Sequence, residues 1–67
     1  MDILTITKQF GCQCRDRITH VVGELRAVTL YADGRLIVLI QPSKPAPDGA
    51  IPDPEWIDAD RLETVDS

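Results

Sequence analysis

At 67 residues the chain has room for one small domain, and a domain of that size buries only roughly 60% of the surface its unfolded form exposes. Hydrophobic residues make up 43% of it, too many for a disordered chain, yet only Phe10, Tyr31 and Trp56 are aromatic, so the expected core is aliphatic. A net charge of −4, with the arginines spread along the chain, argues against nucleic acid as a partner.

No apolar run approaches the roughly 18 residues of a membrane span. The opening MDILTITKQF carries an acid at position 2 and no apolar signal segment, which points to a cytosolic protein whose cysteines are reduced thiols. Most of the first forty residues repeat with period two. DILTITKQF alternates loosely, with Ile3, Leu4 and Ile6 set among threonines and Lys8, and reads as extended chain. CQCRDRI places Cys12 and Cys14 on one face and Gln13 and Arg15 on the other. VVGELRAVTLY, residues 21–31, is long and rich in β-formers, and RLIVLI, residues 35–40, is short enough for a buried strand. Asp33–Gly34 between them supplies the positive φ of a tight turn, predicting a hairpin with arms near 22–31 and 35–41. The alternation slips in the first arm, which a bulge near Ala27, or strong bending that buries both faces at different points, would reconcile.

Residues 42–54 hold all five prolines and read as a long extended loop. Trp56 and Ile57 follow as a short strand. Asp58 is placed to cap a turn that Asp60 also favours, and the Asp58–Arg61 spacing lets the two meet as an ion pair or bond the backbone around that turn. Leu62 then returns to the core, and Val65 extends a last strand. Short strands, one tight hairpin and almost no helix predict a single all-β domain, a small antiparallel barrel.

Little of this carries chemistry. Cys12, Cys14 and His20 supply three of the four ligands zinc takes, in no familiar spacing, and a disulfide between residues two apart is strained. The expected reading is Cys14 as a small core residue, two free thiols, no metal and no cofactor. His20 reads as a solvated turn residue, and Asp53, Glu55, Asp58, Asp60 and Glu63 as a solvated acidic edge. No nucleophile is patterned to a base, so the chain is not read as an enzyme. Trp56 is weighed as a core anchor over an interface aromatic.

RDRIT and Gly23, then YADG and Gln41–Pro42, then WIDADRL resemble a family of small phage and prophage proteins of unassigned role. The matching residues are Gly11, Asp16, Ile18, Thr19, Gly23, Tyr31, Gly34, Gln41, Pro42, Trp56, Asp58, Arg61 and Leu62, within residues 10–63. Ile57 stands where that family has Phe, Cys14 where Val is usual, and Cys12 where Asp is expected. The resemblance implies phage origin and an SH3-like or KOW-like barrel; the expected fold is five-stranded and antiparallel, with a short 3-10 turn before the last strand. It brings no established activity.

The expected function is therefore a non-enzymatic module that binds a phage or host protein, a virion accessory such as a capsid decoration or adaptor protein. The alternative is a counter-defence protein that binds a host enzyme or sequesters a small-molecule signal. Either works in the host cytoplasm or the virion, and a homo-oligomer is compatible with both. Binding is expected at Tyr31, Trp56 and the 42–54 loop, with Arg15, His20 and Arg61 as donors and Asp58 beside them.

Overall fold

The computed structural model describes residues 2–65. A short helix, α1 (Ile3–Thr7), precedes strands β1 (Gln13–Asp16), β2 (Val22–Leu30), β3 (Leu36–Pro42), β4 (Glu55–Asp58) and β5 (Leu62–Thr64). A 3-10 turn, Ala59–Arg61, joins the last two. The strands form one antiparallel sheet in the order β4-β3-β2-β1-β5.

Extended chain was expected over residues 2–10, and α1 corrects this. The Asp2 carboxylate accepts the Thr5 N–H at 2.8 Å, satisfying one of the donors a helix start leaves orphaned. That bond holds the Asp2 carboxyl below its ordinary range. The turn it nucleates delivers Ile6, fully buried, to the core. Burial of one side chain and a cap outweigh the β preference of isoleucine and threonine.

The hairpin forms as the sequence predicts. Gly34 takes φ +90°, its N–H bonds the Tyr31 carbonyl, and the Asp33 carboxylate accepts the Arg35 N–H at 2.9 Å. Pairing runs from Leu30–Leu36 to Gly23–Pro42, with a register shift between Leu25 and Ala27 that leaves Arg26 as the extra residue. The bulge changes which side chains face inward. Leu25 and Val28 then meet Ile40 and Val38 on the inner face, while Ala27 and Thr29 turn outward beside Leu39 and Ile37.

Among the described residues no ladder joins β4 to β5, so the sheet is not closed into a barrel. It does curl. Laid flat, its edge strands would stand about 19 Å apart, whereas the three-residue turn between them spans about 6–8 Å. The inner face encloses Ile6, Cys14, Leu25, Val38, Ile40, Ile57, Ala59 and Leu62. No aromatic residue is among them: Phe10, Tyr31 and Trp56 are all exposed. Gly23 belongs to the same inner surface, where a Cβ would stand 2.3 Å from the Gln41 carbonyl oxygen, so only glycine lets β2 and β3 approach there.

Candidate binding cleft

The turn between β1 and β2 is organised by one buried carboxylate. Asp16 ends β1 with 1% of its surface exposed. Its Oδ1 accepts the Ile18 N–H at 2.9 Å and the Arg61 Nε–H at 3.1 Å. Its Oδ2 accepts the Thr19 hydroxyl at 3.0 Å and the Arg61 Nη2–H. Burial alone would raise this carboxyl, but the bonds from Arg61, Ile18 and Thr19 and the guanidinium charge outweigh it and hold the group below its ordinary range. Arg61 also fixes the other side through its carbonyl, which accepts the Arg17 N–H at 2.9 Å. The expected Asp58–Arg61 pair does not form. Arg61 turns to a partner 45 residues away, and Asp58 starts the 3-10 turn with no side-chain capping bond. The desolvated, multiply hydrogen-bonded carboxylate is the stronger partner for a bidentate guanidinium than an exposed one.

The clamp has a local consequence. His20 stands at φ +66°, the one non-glycine residue with positive φ among those described. Its N–H donates to the Asp16 carbonyl at 2.7 Å, and the Asp16 N–H donates to the Val21 carbonyl at 2.9 Å. The chain thus doubles back within four residues, and His20 and Val21 arrive at the rim of a cleft.

That cleft, about 340 Å³, lies at the end of the sheet away from the hairpin tip. Val21, Val22, Pro42 and Pro52 give it apolar walls, and His20, Lys44 and Glu55 edge it. The proline loop closes one side because it is tied back on itself and on the sheet. Gln41 Nε2 donates to the Pro52 carbonyl at 3.0 Å, the Ser43 hydroxyl donates to Gln13 Oε1 at 2.7 Å, and Ala46 and Ala50 form a backbone-bonded turn around Gly49. Among the described residues the side chains of His20, Lys44 and Glu55 enter no ion pair. Apolar walls with a few free polar groups at the rim suit a docked side chain or small ligand.

No family model, curated protein or solved structure matches this chain.

The structure distributes the expected binding residues over separate places. His20 and the loop residues Pro42, Lys44 and Pro52 meet in the cleft. Arg15 pairs with Glu63 at 2.8 Å, bridging β1 and β5. Arg61 is engaged by Asp16. Asp58 edges a smaller hollow of about 130 Å³ with Arg35 and Asp60. Tyr31 lies at the hairpin end under the Arg35 guanidinium, 5.0 Å from its ring centroid. Trp56, weighed as a core anchor, instead points outward and is 55% exposed, because alternation in β4 gives the inward position to Ile57. Val21 and Val22 are not singled out by the sequence, and Glu55 is read there only as part of a solvated acidic edge. Lys44, one of two lysines and set among prolines, was the available signal.

The cysteines are free, Cys12 exposed and Cys14 in the core. Burial, then the neighbouring Cys12, pushes the Cys14 thiol up, so it stays protonated and unreactive. Among the described residues no three His, Cys, Asp or Glu side chains gather as a metal ligand set, and no helix is long and apolar enough to cross a membrane.

Proposed function

We propose that this protein is a non-enzymatic protein-binding module of phage origin, a virion accessory or adaptor whose curled sheet is an incompletely closed SH3-like barrel. The observation that carries the reading is the cleft of about 340 Å³ between the Asp16-clamped turn and the proline loop. An extended partner segment would lay an apolar side chain between Val22, Pro42 and Pro52. His20, Lys44 and Glu55 would supply directional polar contacts at the rim. The loop is held in place by its prolines and by the Gln41 bond, so little chain entropy is lost on docking. Phage origin rests on the sequence resemblance.

Mass spectrometry of purified particles, together with capture of phage and host proteins by the parent and by Lys44→Glu, tests the proposal. Presence in particles and a partner lost with Lys44→Glu support it. Absence from particles and equal capture by both proteins refute it. The second reading, a counter-defence protein, is favoured by the size of the same cleft, which also suits a small-molecule signal. A ligand extracted from protein purified out of infected cells would favour that reading.

A further inference from the structure

The outer face of the sheet carries a second feature that the cleft does not use. Register places Ala27, Leu39 and Trp56 side by side across β2, β3 and β4, with Thr29, Ile37 and Asp58 in the next row. Tyr31 and Arg35 continue the face toward the hairpin tip. The protein therefore buries no aromatic ring in its core and displays two of its three on one sheet face. Large aromatics are ordinarily the first residues a small core recruits, and they dominate interface hot spots.

We infer that this face is a homodimer interface, its occupant a second copy of the same chain. Charge favours this choice. The chain carries −4. On the outer face, Arg15, Arg26 and Arg35 balance Glu24, Asp58 and Glu63, with Arg15–Glu63 at 2.8 Å and Arg26–Glu24 at 3.3 Å. The net charge thus resides elsewhere, so bringing two copies together through this face opposes no net like charge. Stability favours it too. The core holds eight buried apolar residues, and among the described residues the structure has neither a disulfide nor a metal cluster. Oligomerisation is one of the supports that so small a domain can use. A two-fold axis running across the strands brings the Tyr31–Arg35 end of one copy over the Glu24–Gln41 end of the other, keeping the contact self-complementary.

Sedimentation equilibrium of the whole protein from about 1 to 500 µM, with Trp56→Lys and Ala27→Arg measured beside it, tests the inference. The expected result is a parent of twice the 7.4 kDa chain mass, and at least about a 30-fold weaker dimer in each variant, with parental circular dichroism. Should either variant fail to fold, the parent decides alone: Trp56 emission must shift to the red on dilution through the dimer–monomer transition. A parent that stays monomeric throughout, a dimer unchanged by both substitutions, or Trp56 emission constant across dissociation overturns the inference. A monomeric parent that loses a different protein partner with Trp56→Lys overturns it as well, since the face then belongs to that protein.

Discussion

Replacing Asp16 with alanine removes four hydrogen bonds at once: two from Arg61, one from the Ile18 N–H and one from the Thr19 hydroxyl. Deleting one partner of a buried ion pair costs about 3–5 kcal/mol. The lower end applies here, because a third of the Arg61 side chain is exposed and the stranded guanidinium can take up water. A loss of about 3 kcal/mol is severe for a domain this size, whose whole stability is about 3–10 kcal/mol. At 4–8 °C per kcal/mol it lowers Tm by about 12–24 °C. Asp16→Asn keeps the shape and removes the charge, and its deficit should depend on pH. The folded carboxyl lies below its ordinary value of 3.8, so its contribution is present in full above that value. It is lost as the pH falls through the folded pKa. The gap in stability between parent and Asp16→Asn, measured by urea unfolding with circular dichroism, is therefore wide at pH 7 and closes below about pH 4. A loss under about 1 kcal/mol for Asp16→Ala at pH 7, or a gap to Asp16→Asn that does not change with pH, would refute the clamp as the element that holds the turn.

Gly23→Ala drives a Cβ into the β3 backbone and should cost about 1–3 kcal/mol by the same unfolding assay; a neutral result would mean β2 and β3 can separate freely. Gly34→Val, at φ +90°, should cost about 1–2 kcal/mol and leave the Asp16 clamp intact. Asp58→Ala should change stability by under about 0.5 kcal/mol, since its side chain makes no capping bond. Under native conditions a thiol reagent should label Cys12 promptly and Cys14 only on unfolding, while Cys14→Val costs under about 1.5 kcal/mol. Prompt reaction of both thiols would show that β1 opens.

What could be read in the sequence was local. Asp33–Gly34 and the slip of alternation at Ala27 located the hairpin and its bulge, because turn chemistry and side-chain period act over a few residues. Cys14 and Leu62 fell inside for the same reason. The helix was hidden because five residues of Ile, Leu and Thr carry no helical period, and what decides it is the burial of Ile6. The Asp16–Arg61 pair was hidden by its separation of 45 residues, and the nearer Asp58 was the more obvious partner. Asp16 and Thr19 do form a local Asx-type pattern ahead of His20, and a buried carboxylate there was the missed inference. The cleft itself arises only when the proline loop folds back, since its walls come from β2, the end of β3 and the loop together. Trp56 and Tyr31 were expected as contact residues beside the proline loop; strand alternation places both on the outer face of the sheet.

The proposed function requires a partner in the cleft between the His20 turn and the proline loop. A photo-crosslinking residue at Lys44, at the cleft, and another at Lys8, just beyond α1, test it directly in infected cells. The expected result is a discrete cross-linked species from position 44 that contains a phage or host protein other than this chain, and none from position 8. The same species from both positions, or one from position 8 alone, would contradict it.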